Sequence, residues 1–284
     1  DFHGTLAAYF AAKKRLFESL AREAPGAPAV VNLDDAHGRR LAAEPDLAGR
    51  LVTFGCGPGA MVRAADLRLA ETGSAFRACT PWGAVPVELG FSGRFNVLNA
   101  LGAIAVCGAL GVPPAAAAEA LARMACVPGR LERIPDPRGR QVFVDYAHTE
   151  DALRNVLQTL RETARGRLVC VFGCGGNRDR SKRPRMGAAV AEVADLAIVT
   201  SDNPRNEDPL AIIAEILPGL APGRPHLVEP DRAAAIRIAV RETGPGDTLL
   251  IAGKGHETYQ EAAGRLLHFD DREAVREALA EAST

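Results

Sequence analysis

Lysine is almost missing from this sequence: among its 34 lysines and arginines only Lys13, Lys14, Lys182 and Lys254 are lysine. A lysine kept in such a background suits chemistry that needs a compact, titratable amine, although chance survival explains it equally well. Net charge is also nearly absent, at -1, and the charges are mixed along the chain with no acidic or basic tail. That balance excludes a footprint for nucleic acid or for an anionic membrane surface. The six cysteines form no paired Cys-x-x-Cys array, so a zinc ribbon is not signalled; they read as reduced core or turn thiols of a cytosolic protein. The longest apolar run, residues 97–112, is shorter than the ~20 residues a membrane span needs and ends at Pro113-Pro114, so it reads as a buried helix. No secretory leader is read at the start. Asp1 leads straight into an amphipathic segment, which looks like a cut inside a longer protein. Neither Gly-x-x-x-x-Gly-Lys-Ser/Thr nor Gly-x-Gly-x-x-Gly occurs anywhere, so neither phosphate-cradling motif is carried by these residues.

What is present is hydrophobic periodicity, with 47% apolar residues over 284 positions, enough for two domains of roughly 100–200 residues each. Residues 5–24 predict a helix, 30–35 a buried strand ending in an acidic turn, and 51–54 a short strand. Strands at 63–69 and 75–79 flank a turn at Glu71-Thr72-Gly73-Ser74, and 85–89 alternates as a half-buried strand. Helices follow at 96–110 and 114–124. Residues 125–140 are rich in Pro and Gly and mark a linker or domain edge. Beyond it, strands at 141–145, 167–172, 196–200, 226–228 and 248–252 alternate with helices at 151–163, 185–193, 209–217 and 232–242, and a last helix spans 272–282. That alternation implies a parallel sheet with helices on both faces and ligands at the carboxyl ends of the strands.

The unusual loops fall just after those strands. They are Asp145 to Thr149, Gly173 to Arg183, Ser201 to Arg205 and Gly253 to Glu257. Gly173 to Arg183 joins a donor-rich turn to Arg178, Arg180, Lys182 and Arg183, as an anion site requires, and reads equally as a solvated basic loop. His148 and His256 are candidate proton carriers, although a lone histidine is more often a structural hydrogen-bonding residue. Asp202-Asn203-Pro204-Arg205 is a proline turn whose Arg suits capture of a carboxylate.

Eight segments in order closely resemble the Mur ligases over essentially the whole chain. They are Asp1-Phe2-His3-Gly4, Ala11-Ala12-Lys13, Gly93 to Asn99, Gly129-Arg130-Leu131-Glu132, Asp145 to Thr149, Phe172 to Asp179, Asp202 to Arg205 and Ala252 to Glu257. The resemblance implies an α/β fold. Residues 1–127 would be the C-terminal part of a central ATP-binding ligase domain, and 128–284 a Rossmann-like C-terminal domain with a mostly parallel sheet that binds the amino acid. It implies a cytoplasmic, monomeric, ATP- and magnesium-dependent amide ligase of peptidoglycan precursor synthesis. There the carboxylate of UDP-N-acetylmuramoyl-L-alanyl-D-glutamate is phosphorylated, and a diamino acid's amine attacks the acyl phosphate. Lys13 matches a lysine carboxylated to a carbamate that holds magnesium, which an arginine could not become. Asn96 and Asn99 match positions near the adenine, Arg130 a nucleotide-phosphate contact, and Asp145 and His148 the nucleotide-side loop, with His148 a catalytic candidate. Arg178, Asp202, Asn203, Pro204, Arg205, Gly253 and Glu257 match the pocket for the incoming amino acid.

Within the family the Asp-Asn-Pro-Arg form resembles enzymes that add meso-diaminopimelate, whose second carboxylate an Arg would pair, whereas it would repel the ammonium of lysine. The resemblance also implies that the UDP-sugar domain and the phosphate loop lie upstream, so the 284 residues alone are expected not to turn over. The alternatives are a related ligase with another acceptor, such as lysine or a glutamate in folate tailing, and a non-catalytic module using a ligase-like sheet.

Overall fold

The computed structural model describes residues 3–47, 49–70, 73–124, 126–221 and 223–282. Asp1-Phe2 of the first family segment, Glu71-Thr72 of the predicted turn and Ala125 at the start of the predicted linker lie outside the described residues. The chain divides into two compact units, Asp1–Ala125 and Cys126–Thr284.

The first unit opens with α1 (Leu6–Glu23), started by Thr5, whose hydroxyl accepts from the Ala8 N–H. A five-stranded sheet follows in the order β1 (Ala29–Asn32), β2 (Leu51–Gly55), β3 (Val62–Ala70), β4 (Gly73–Thr80) and β5 (Gly83–Leu89). β1, β2 and β3 run parallel, whereas β3, β4 and β5 form an antiparallel meander. The acidic turn after β1 begins a helix that the sequence reading leaves out, α2 (Ala36–Ala42), capped by Asp35. Asp34 accepts from the N–H groups of Cys56 and Gly57 and so ties β1 to the turn after β2. The apolar run is a helix, α3 (Arg94–Ala109), but buried on one face only, with Val106 and Leu110 exposed; its Val97, Leu101 and Ile104 pack with Val62, Phe76 and Ala78 of the sheet, and α4 (Pro114–Ala122) adds Leu121.

The second unit holds a six-stranded sheet in the order β10-β9-β8-β11-β7-β6. The strands are β6 (Glu132–Ile134), β7 (Gln141–Asp145), β8 (Leu168–Phe172), β9 (Leu196–Val199), β10 (His226–Val228) and β11 (Thr248–Ala252). All pairs are parallel except β6 with β7. β6 corrects the linker alternative for 125–140, while the two units do divide at the start of that segment. Three residues of that segment form an edge strand, and Asp136 there is tied to the buried Arg140 at 2.6 Å. Proline and glycine mark turns at both ends of the short strand and mask it in the sequence.

The helices are α5 (Glu150–Thr163), α6 (Lys182–Val193), α7 (Pro209–Ile216), α8 (Arg232–Glu242) and α9 (Asp271–Glu281). The β7, β8, β9 and β11 side chains Val144, Val171, Ile198 and Ile251 cluster with Ala235, Ile236, Val275 and Leu279 of α8 and α9. Alternate residues Phe143, Cys170, Ala197 and Leu250 are equally buried on the opposite face, where α5 and α6 contribute Leu153, Leu157, Met186 and Val190. A separate antiparallel hairpin, β12 (Tyr259–Ala262) and β13 (Arg265–His268), precedes α9. Among the described residues no helix is long and apolar enough to cross a membrane.

Candidate functional site

β7, β8, β9 and β11 are the interior strands of the six-stranded sheet, so the loops that leave their carboxyl ends meet there. Together with Tyr259 they line one cavity of about 360 Å³. Arg178 and Arg205 contribute cations to it, and Asp202 and Glu257 contribute carboxylates.

The Asp202 to Arg205 loop is organised around the Asn203 amide. Its Oδ1 accepts from Lys254 Nζ at 2.8 Å and from the Glu261 N–H at 2.9 Å, and its Nδ2 donates to Glu257 Oε2 at 2.9 Å. Two donors on one atom and an acceptor on the other leave a single orientation for this amide. Lys254 is fully buried, and burial holds its ammonium below the ordinary lysine value against the opposing charge of Asp202. Its ammonium also lies 3.6 Å from Glu257 Oε2, so the lysine and the amide both engage the same Glu257 oxygen. Asp202 is 8% exposed, and among the described residues no donor reaches its carboxylate. Gly253 has φ +122°, and a Cβ there would come within 2.5 Å of Asp202 Oδ2, so glycine leaves that carboxylate its place. Pro204 shapes the turn without lining the cavity.

The Gly173 to Arg183 loop departs from the anion-site expectation. Arg183 is wholly buried and bonded to Glu207 and Glu215, and Arg180 is paired with Glu215. Those two cations hold the loop to α7 and the segment before it and are not available to a ligand. Arg178 and Lys182 remain on the cavity, Lys182 donating to the His148 carbonyl at 3.1 Å. The glycines serve packing: a Cβ on Gly176 would sit 2.0 Å from the Pro204 carbonyl oxygen, and one on Gly173 would sit 2.3 Å from that of Thr200. The loops after β8 and β9 therefore touch main chain to main chain, sealed by the Gly176 N–H on the Asn203 carbonyl at 2.9 Å.

Asp145 is buried at the end of β7, its two oxygens accepting from the N–H groups of Leu131 and Ala147. Burial pushes its carboxyl above the usual carboxylate range despite those donors. Arg130 lies 4.7 Å from the centre of the Tyr146 ring, which is also edge-on to His148 at 4.6 Å and near His256 at 5.2 Å. His148 lines the cavity. Its Nδ1 is 2.8 Å from the Tyr146 carbonyl, which can only accept, so Nδ1 carries the proton and Nε2 the lone pair of the neutral ring.

Lys13, Asn96 and Asn99 belong to the first unit. Lys13 is exposed on α1, 5.3 Å from the Tyr9 ring, beside a recess also lined by Asp35 and His37. The adjacent Lys14 is instead committed to Glu44 at 2.8 Å. Asn96 is buried and donates to the Ser92 carbonyl at 2.8 Å, while Asn99 is exposed. Among the described residues no three His, Cys, Asp or Glu side chains gather as metal ligands. All six cysteines are free; Cys170 and Cys174 are buried, and burial pushes the Cys174 thiol up to about 12.

Four residues around the cavity carry no role in the sequence reading. Lys254 stands out only by the scarcity of lysine, and Tyr259 and Glu261 sit on a hairpin that the reading omits. Arg232 reads as one more arginine of a helix. It is buried, clamped by Asp271 through Nε at 2.7 Å and Nη2 at 2.8 Å, and donates to the carbonyls of Ser201 and Ala252. Those carbonyls immediately precede Asp202 and Gly253.

The chain is similar to known proteins in sequence and in fold. Residues 1–107 match the Mur ligase middle domain and residues 129–255 the Mur ligase glutamate ligase domain. UDP-N-acetylmuramoyl-L-alanyl-D-glutamate–2,6-diaminopimelate ligases from Synechococcus elongatus and Alkalilimnicola ehrlichii are 47% and 48% identical, each over 99% of this chain and 56% of the relative. The chain thus spans about half the length of the curated relatives it matches. A solved ligase of the same description is 38% identical with a TM-score of 0.62, over 99% of this chain and 58% of that one. MurF from Acinetobacter baumannii, at 19% identity over 98% of this chain and 56% of its own, shares the fold with a TM-score of 0.71. With both domain models matched in order over most of its length, the chain belongs to the Mur ligase family.

Proposed function

We propose that this chain carries the acceptor-selecting part of an ATP-dependent amide ligase that adds meso-diaminopimelate to UDP-N-acetylmuramoyl-L-alanyl-D-glutamate in peptidoglycan precursor synthesis. The observation that supports it best is the pairing of charges in one cavity: Arg178 and Arg205 stand ready for carboxylates, and Asp202 and Glu257 for ammonium groups. An amino acid with two carboxylates and two ammonium groups has a partner for each. Residues 1–127 are proposed as the C-terminal part of the central domain and 128–284 as the amino-acid-binding domain. One chain brings every loop of the pocket, so the reading needs only a monomer, and its use of ATP and a nucleotide-linked precursor places it in the cytoplasm.

In this reading ATP converts the dipeptide's carboxylate into an acyl phosphate, and the acceptor amine displaces phosphate to form the amide. The amine must lose a proton to become a nucleophile, and the His148 Nε2 lone pair suits that task. Arg130, with Asp145, Asn96 and Asn99, is assigned to the nucleotide. Lys13, exposed and free of the acidic partners that hold Lys14, is the candidate for carbamate formation. A carbamate there would give magnesium one anionic ligand, and magnesium would offset charge on the transferring phosphoryl group. The described residues do not complete such a site.

The test is Arg205→Ala in the full-length protein. Charge-assisted bonds of about 1.5–3 kcal/mol correspond to a rise of roughly 10- to 150-fold in KM for meso-diaminopimelate. The KM for ATP should change by less than about twofold. Unchanged use of meso-diaminopimelate by that variant would remove the carboxylate clamp from the proposal and favour a lysine- or glutamate-adding ligase.

A further inference from the structure

The β12–β13 hairpin, with β12 half-buried and β13 exposed, holds Asp202, Asn203 and Arg205 of the Asp202 to Arg205 loop. Gln260 Nε2 donates to the Asp202 carbonyl at 2.8 Å, and the Glu261 N–H donates to Asn203 Oδ1 at 2.9 Å. The Arg205 N–H donates to the Glu261 carbonyl at 2.9 Å, and the Ala263 N–H donates to the Arg205 carbonyl at 2.6 Å. Arg205 has φ +54°, in the left-handed region that a side chain disfavours. Such a conformation persists where the surroundings over-determine it, and here both main-chain groups of the residue are fixed by one hairpin. The side chain is fixed from the same place. Glu261 Oε2 lies 2.9 Å from Arg205 Nε, while Arg205 Nη1 donates to the Gly176 carbonyl at 2.9 Å.

From this geometry we infer that Glu261 is a positioning residue for acceptor choice. It holds the Arg205 guanidinium by its Nε edge, leaving Nη2 and the second Nη1 hydrogen for the distal carboxylate of a diamino dicarboxylic acid. The inference rests on the reading that Arg205 meets that carboxylate. An arginine side chain has several rotatable bonds, and an unrestrained one would lose part of its binding strength in becoming ordered. With Nε drawn to the Glu261 carboxylate by charge and one Nη1 hydrogen occupied in advance, that cost falls on folding and not on binding. Glu261 does not itself need to touch the acceptor.

The experiment is steady-state kinetics on the full-length protein with Glu261→Ala, Glu261→Gln and Arg205→Ala, varying meso-diaminopimelate and ATP separately. Glu261→Ala is expected to raise KM for meso-diaminopimelate by about 5- to 20-fold, with kcat and KM for ATP within about twofold, as loss of one charge-assisted contact implies. Glu261→Gln keeps the size of the side chain and removes the charge that pairs with Arg205, so it should raise KM for meso-diaminopimelate as Glu261→Ala does. If Arg205→Ala raises that KM and Glu261→Ala does not, the positioning role is wrong and the acceptor reading survives. If neither changes it, the acceptor reading itself fails. Equal losses with both substrates would mark Glu261 as merely structural, and a Glu261→Gln variant with the parent KM would show that its charge does not hold Arg205; either result overturns the inference.

Discussion

Glu207 shows how much of the site rests on residues that never meet a ligand. Its carboxylate takes Arg183 through both oxygens and also the Asn177 N–H, and these partners hold it far below the usual range, at about 2. Because the folded value lies below the unfolded one, its contribution is complete above the ordinary value of 4.5 and is lost as pH falls to about 2. Glu207→Gln should therefore destabilise the protein at pH 7 and match the parent near pH 2; urea titrations at pH 7, 4 and 2.5 would show the gap closing. A gap that stays constant with pH would mean that packing, not charge, is what the residue supplies. Such residues were hidden in the sequence for a physical reason. Asp202 to Arg205 was readable because a rigid proline turn and a cation lie within four residues. Lys254, though one of four rare lysines in a marked loop, finds its partner Asn203 across 51 positions, and Arg232 finds Asp271 across 39, so no local pattern gives either partner.

Among elements, β7, β8, β9 and β11 were legible because each is a short apolar run bounded by turns, and burial on both faces leaves no polar alternation to confuse them. The β12–β13 hairpin was not: its strands have four residues each, and all of β13 is exposed, so no apolar period betrays it. α2 escaped for a similar reason, with only Leu41 buried. The loop after β8 invited an anion-site reading because glycines and arginines stood together, whereas its glycines are there for contact with the next loop. Gly176→Ala tests this, since its Cβ would lie 2.0 Å from the Pro204 carbonyl oxygen, an immobile backbone atom. Overpacking of this kind costs about 1–3 kcal/mol, and the variant should lose that much in chemical denaturation together with affinity for the acceptor. A fully stable Gly176→Ala would show that the two loops can part freely.

Over the molecule, the sequence anticipated an α/β chain and a mostly parallel second sheet, and the structure agrees. The antiparallel edge strand β6 lay within what read as a linker. The second unit also contains a device no pattern could announce, the Arg232–Asp271 pair that joins α8 and α9 to the ends of β9 and β11. Removing one partner of a buried pair leaves an uncompensated charge, and Arg232→Met should cost about 3–5 kcal/mol. The double change Arg232→Met with Asp271→Leu should recover a large part of that stability. It should not recover acceptor affinity, because the Ser201 and Ala252 carbonyls stay unheld; calorimetry and acceptor KM measured on both variants separate the two effects.

The hairpin carries one more consequence. A two-stranded hairpin has little stability of its own in water, so β12 and β13 are ordered in large part by their grip on Arg205 and Asn203. Linkage runs both ways: whatever an acceptor gains from a fixed Arg205 it returns as added order in the hairpin. Leu266 and Leu267, exposed at the far strand, lie on the outer end of that exchange. Occupancy of the cavity should thus register on the outside of the protein, as slowed amide exchange along residues 259–268.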